Sequence, residues 1–171
     1  MRSKSVYFII AGILLVITGV LIEFGGFGDP TNDALFNDYI ANKFSEKYFE
    51  VSASKDDEHY KTADLKISFD IRNEKGNLYI SSKWIKHYTN NTIEIATRDE
   101  VAEYKTFGKE SAPDLFKVIG IGGTPDQPKI LFVVPTSKIR SQTVKISQID
   151  KFKKADLSEN FYYDLEDKIL Q

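Results

Sequence analysis

The apolar positions change their spacing along the chain, and each spacing predicts an element. Residues 6–22 (VYFIIAGILLVITGVLI) run for seventeen positions without a charge. They show none of the polar stripe that a helix packed on a soluble core would carry. At about 1.5 Å per residue they cover roughly 25 Å, close to the hydrocarbon thickness of a bilayer. Beyond a joint of Gly25, Gly26, Gly28 and Pro30, the spacing becomes helical at Leu35, Phe36, Tyr39, Ile40 and Phe44. Thr31 or Asn32 is the N-cap, with Asp33 in the first turn. Phe49 and Val51 open a strand, and the charged residues 55–61 predict a loop.

Leu65, Ile67, Phe69 and Ile71 then alternate with Lys66, Ser68 and Asp70, the pattern of a half-buried strand. Residues 73–77 (NEKGN) predict a hairpin loop with Gly76 at its positive-φ position. Leu78, Ile80 and Ser82 continue the alternation on the partner strand. Thr97 and Glu100 fit a capping box, with Val101, Tyr104 and Phe107 as the apolar stripe and Gly108 as C-cap. Two nearly continuous apolar runs, residues 116–121 and 130–134, suit strands buried on both faces. Residues 160–170 predict a short amphipathic helix. The order is that of an α/β (α+β) domain, a mixed central β-sheet flanked by helices.

The leader reads as an uncleaved membrane anchor rather than a signal peptide. A signal peptide has a shorter apolar stretch and an A-x-A-like site behind it, whereas Glu23-Phe24-Gly25-Gly26-Phe27 follows here. The expected division is 1–27 for the transmembrane anchor and joint and 28–171 for the soluble domain. Arg2 and Lys4 precede the span, and no Lys or Arg follows before Lys43, while Glu23, Asp29, Asp33 and Asp38 do. The positive-inside rule then puts the N-terminus in the cytoplasm and the domain outside. The lipid bilayer and other membrane-protein subunits are the expected partners.

Charge and composition narrow the chemistry. The chain carries a net charge of −2, whereas non-specific nucleic-acid binding usually needs a basic face. The absence of cysteine excludes disulfides, thiolate metal sites and a Cys nucleophile. His59 and His87 stand in polar sequence and read as solvated, which leaves little for a zinc site. Gly120-Ile121-Gly122-Gly123 reads as a turn, because a phosphate loop needs a helix N-terminus behind it and Pro125 to Pro128 lead into another strand. Trp84 with Lys83, Lys86, His87 and Tyr88 reads as a strand end with one core Trp, with stacking or phosphate binding as the functional alternative. Lys138, Arg140, Lys145, Lys151, Lys153 and Lys154 make the last third locally basic. That stretch reads first as solvated surface, and second as a face for anionic headgroups or an acidic partner.

The order of elements, a hairpin whose second strand carries Lys83, and the stretch over residues 93–135 (IEIATRDEVAEYKTFGKE through FKVIGIGGTPDQPKILFVVP) resemble the PD-(D/E)xK, restriction-endonuclease-like nuclease superfamily, in particular a bacterial branch of it. The similarity covers residues 31–140. It implies a carboxylate at the end of the first hairpin strand, a second on the partner strand, a Lys two residues after that second carboxylate, a Glu on the first helix and a polar residue on the second. Two carboxylates of that kind hold Mg²⁺, which stabilises the charge developing in phosphodiester hydrolysis. Asp64 matches the first acid, with Ala63 in place of the usual Pro, and Lys83 matches the Lys. Ser81 stands at the second carboxylate, Asn37 at the first-helix Glu, and Glu100 or Val101 where relatives carry Gln. Asp70 or Glu94 is the candidate substitute acid.

A constellation short of one central acid implies a degenerate active site. The expected function is a single-pass, membrane-anchored, non-catalytic accessory or scaffold subunit without a cofactor. The alternative is a membrane-tethered Mg²⁺-dependent nuclease acting on DNA, which would place the domain on the cytoplasmic side.

Overall fold

The computed structural model describes residues 31–54, 61–107 and 114–171. The anchor expected at 1–27, most of the loop expected at 55–61 with its His59, and the expected cap Gly108 lie outside these residues. Among the described residues no helix is long and apolar enough to cross a membrane.

Helix α1 (Asn32–Ala41) starts where Thr31 takes an extended conformation and its hydroxyl accepts the Ala34 N–H at 3.2 Å. This is the N-cap bond expected of a threonine. Its apolar stripe buries Phe36 and Ile40 completely, and Phe44 follows just after the helix. Strands β1 (Phe49–Ala53), β2 (Leu65–Ile71) and β3 (Glu74–Ile85) come next, each antiparallel to the one before. A short strand β4 (Thr92–Glu94) and helix α2 (Arg98–Phe107) carry the chain across the sheet to β5 (Asp114–Ile121). Because β5 runs parallel to β3, a crossover of this length is required. Strand β6 (Ile130–Pro135) returns antiparallel and completes a mixed five-stranded sheet of order β1-β2-β3-β5-β6.

Both faces of this sheet are covered. Ile67, Leu78, Ile80, Phe116, Val118, Leu131 and Val133 face α1 and the C-terminal residues Phe161, Tyr163 and Leu170. Tyr79, Leu115, Ile119, Ile121, Phe132 and Val134 face Val101 and Tyr104 of α2, together with Ile93, Ile139 and Ile149. Period-two alternation sends neighbours on one strand to opposite layers. The nearly unbroken apolar runs of β5 and β6 are what a strand covered on both sides needs.

Several expected elements differ. The β2–β3 loop is shorter than NEKGN. It is a two-residue turn at Arg72 and Asn73, both at positive φ (53° and 68°), the arrangement that matches the twist of a tight hairpin. Gly76 lies inside β3, opposite Phe69. A Cβ there would meet Phe69 Cζ at 2.5 Å, so the glycine makes room for the ring rather than for a turn. Strand β3 is buried on both faces from Leu78 to Ser81, because β5 pairs with it on the far side. The expected C-terminal helix is instead a hairpin of β8 (Tyr163–Asp164) and β9 (Ile169–Leu170). Phe161 and Tyr163 point inward while Tyr162 is exposed, a period of two. The Asp164 carboxylate accepts the N–H groups of Glu166 and Asp167 at 2.9 and 3.1 Å, which favours a turn over a helix. A ribbon of β4 with β7 (Thr143–Lys145), followed by the single-turn helix α3 (Ile146–Ile149), has no counterpart in the sequence expectation.

Candidate functional site

The candidate residues gather where β2 begins and β3 passes between the two helices. Asp64 precedes β2, and its Oδ2 accepts the Ser82 N–H at 2.6 Å. The Ser82 hydroxyl lies 3.1 Å from the same oxygen and 2.6 Å from Asn37 Oδ1 on α1, so one proton serves two acceptors and ties α1 to Asp64. Ser82 faces the α1 layer. Its neighbours Ser81 and Lys83 therefore face the α2 layer.

In that second layer the register sets Ser81 beside Lys117 of β5. Lys117 is 2% exposed. Its Nζ donates to Ser81 Oγ at 2.9 Å and to Glu100 Oε1 at 2.8 Å. Ser81 Oγ donates to the same carboxylate oxygen at 3.2 Å, and the Tyr104 hydroxyl donates to it at 3.3 Å. The other oxygen, Glu100 Oε2, accepts the Thr97 N–H at 2.6 Å, while Thr97 Oγ1 accepts the Glu100 N–H. The capping box expected from the sequence thus forms, and its glutamate also holds a buried lysine.

The energetics explain why the network is complete. An ammonium removed from water costs several kcal/mol even after relaxation. At 2.8 Å an opposite charge returns about 6 kcal/mol gross at an effective dielectric of about 20. Burial pushes the Glu100 carboxyl up. The Lys117 charge and hydrogen bonds from Lys117 and Thr97 more than offset that and hold it down at about 2. For Lys117, burial lowers the ammonium, Glu100 and the charge of Asp64 support it, and Lys83 opposes it. Burial raises the Tyr104 phenol far above its ordinary range, and the Glu100 charge adds to this, so Tyr104 remains a donor.

The remaining candidates stand apart. Lys83 reaches Glu94 of β4 at 3.4 Å on an exposed rim, a pair that contributes little to stability. Asp70 pairs with Lys75 at 2.9 Å near the β2–β3 turn. Six residues of strand put it about 20 Å from Asp64, too far to serve as a substitute acid there. Of the two second-helix candidates, Glu100 enters the site and Val101 is buried in the apolar layer. His87 is exposed. Trp84 packs against the α1 layer and donates its indole N–H to the Gly122 carbonyl at 3.2 Å, while Tyr88 of the same cluster is exposed. Gly122 and Gly123 have positive φ in the β5–β6 turn, as expected of a turn.

Lys117 was missed in the sequence. Its signal was one lysine inside an apolar run assigned to a strand covered on both faces. Such a position has no route to water, so a buried acid has to accompany it. Glu100 stands in the sequence both as the capping-box glutamate and as one of the two second-helix candidates; what was missed is its lysine partner. Among the described residues no group of three His, Asp or Glu side chains is arranged to hold a metal ion. The oxygens of Ser81 and Glu100 are turned onto an ammonium, and Asp64 Oδ2 onto Ser82. Mg²⁺, which wants near-octahedral oxygen ligands at about 2.0–2.1 Å, does not fit the donor set in this arrangement. A scan against models of protein families finds none that matches, and a search of the curated proteins returns no match.

Proposed function

We propose that this chain is a membrane-anchored, non-catalytic accessory or scaffold protein, built on a restriction-endonuclease-like frame whose metal position has been taken over by a lysine. The observation that carries this reading is the Lys117 ammonium, buried between Glu100 and Ser81 and within the field of Asp64. A fixed monovalent cation supplies the charge that holds the remaining acids in place. It offers no open coordination position for a phosphate oxygen or a water, and metal-assisted hydrolysis needs both.

The frame itself supports the resemblance. A helix, an antiparallel hairpin, a crossover helix and a parallel strand, with Asp64 and the Ser81–Lys83 strand meeting at the crossing, follow the order that the nuclease superfamily would have. The uncharged leader at residues 6–22 supports the anchor, and its flanking charges support an extracytoplasmic domain. A scaffold role fits a domain that keeps a nuclease-like surface without the chemistry, since a fold permits many functions.

The experiment is cleavage of duplex and single-stranded DNA by the purified full-length chain with Mg²⁺ or Mn²⁺, beside an Asp64→Ala variant. The expected result is no cleavage by either protein. Cleavage by the wild type that Asp64→Ala abolishes would contradict the proposal and would move the domain to the cytoplasmic side, where DNA is found.

A further inference from the structure

A second constellation lies away from Asp64 and Lys117, on the outer edge of the sheet. A pocket of about 460 Å³ opens there between β6, the segment after residue 150 and the end of β9. Val133, Pro135, Phe152 and Leu170 supply an apolar floor, and Lys138, Lys151, Lys153 and Lys154 line it. Ile169, which is 41% exposed, adds an apolar lip.

The lysines are held in place by the backbone. Lys138 ends the 3-10 turn Thr136–Lys138 that follows β6 directly. Lys151 sits in the 3-10 turn Asp150–Phe152, with its Nζ 5.0 Å from the centre of the Phe152 ring. Lys153 bridges to Phe132, and the Lys154 N–H donates to the Leu131 carbonyl at 2.9 Å, so this segment is stitched to the free edge of β6. Pre-placement of this kind lowers the ordering cost of binding.

The charge of the pocket is not balanced from within. Its two acidic side chains are Asp156 and Glu159. Asp156 Oδ1 accepts the Ser158 N–H and hydroxyl at 2.7 and 2.6 Å, and with Glu159 it sets two carboxylates against the four lysines. Burial lowers the Lys154 ammonium and nearby Lys43 adds to this, against the carboxylates of Glu159 and Asp156. On a chain of net charge −2, a pocket with four lysines is a local inversion of sign, and it draws anions. The lining carries no arginine. Ammonium groups act as point charges without the planar fork that selects carboxylates, and they suit a phosphate dianion shared among several of them.

We infer that this pocket binds a phosphate monoester that carries an apolar arm, the phosphate among Lys138, Lys151, Lys153 and Lys154 and the arm over Val133, Phe152 and Leu170. A lipid headgroup and a soluble phosphate share this chemistry, and the test separates them. The inference is independent of the Lys117 network, none of whose residues lines this pocket.

The full-length chain in a neutral detergent is titrated calorimetrically with dihexanoyl phosphatidic acid, glycerol phosphate and dihexanoyl phosphatidylcholine. The same titrations are run on Lys151→Gln/Lys153→Gln, two exposed positions at which the fold tolerates the change, and on Lys47→Gln/Lys75→Gln as a remote control. At roughly fivefold per lysine, the first double variant loses about 10- to 30-fold in affinity for phosphatidic acid, and the control loses none. Glycerol phosphate binding much more weakly than phosphatidic acid supports the apolar arm and a lipid source. Equal binding of the two phosphates would mean that the apolar arm adds nothing, and overturns the inference. Phosphatidylcholine binding as well as phosphatidic acid, no binding of either phosphate, or equal loss in both double variants overturns the inference.

Discussion

Lys117 and Glu100 form one unit, and their substitution should not add. Lys117→Met keeps the length of the side chain but leaves Glu100 half-buried without its cation. A broken buried pair of this kind costs about 3–5 kcal/mol. Glu100→Gln in the same chain removes the stranded charge while keeping a hydrogen-bond acceptor for Tyr104. The double variant should therefore recover most of the loss, and a double-mutant cycle by urea unfolding measures the coupling. A coupling near zero would mean that the pair does not hold the site. The pH dependence follows from the same carboxyl. Glu100 is held at about 2 in the folded chain against an ordinary 4.5. The folded state thus binds fewer protons between these values, and its stability falls as pH drops from about 4.5 toward 2. Glu100→Gln should flatten that acid limb, read as the change in unfolding midpoint across this window.

The strands whose alternation or continuity is strong were legible in the sequence: Leu65 to Ile71, and the two apolar runs that became β5 and β6. Helix α2 was legible through its capping box. The misses have local causes. Glycine usually marks positive φ, which points to Gly76 for the β2–β3 turn, yet the turn falls on Arg72 and Asn73, and the glycine serves the Phe69 ring across the strands. Arginine is a poor residue for the left-handed region. Arg72→Asn combined with Asn73→Gly should thus stabilise the hairpin by about 1 kcal/mol, seen as a higher urea midpoint at unchanged slope. The C-terminal hairpin was hidden because Phe161, Tyr163, Leu165 and Leu170 fit helical and alternating spacing about equally well. The Asp164 turn decided between them. The β4–β7 ribbon pairs three residues with three, too short a pattern to stand out from loop.

At the scale of the whole molecule, the sheet is covered on both faces, and the site lies where both coverings reach the same strand. Ser82 is tied to α1 through Asn37, and Ser81 is tied to α2 through Glu100 and Lys117. The resemblance singles out Asp64, Ser81 and Asn37, and the structure joins Asp64 to Asn37 through the Ser82 hydroxyl. Lys117 was not legible, because its meaning depends on β5 lying parallel beside β3, a pairing between residues 36 apart that no local pattern encodes. In the proposed reading the Lys117 ammonium stabilises the remaining acids where the nuclease superfamily would hold a metal. The most direct test is the binding of Mn²⁺ to the full-length chain, followed by the paramagnetic resonance signal of the free ion, beside Asp64→Ala. An internal ammonium predicts no specific binding at millimolar Mn²⁺ and identical titrations for the two proteins. Binding of one ion per chain, lost in Asp64→Ala, would contradict it and restore a metal centre to the site.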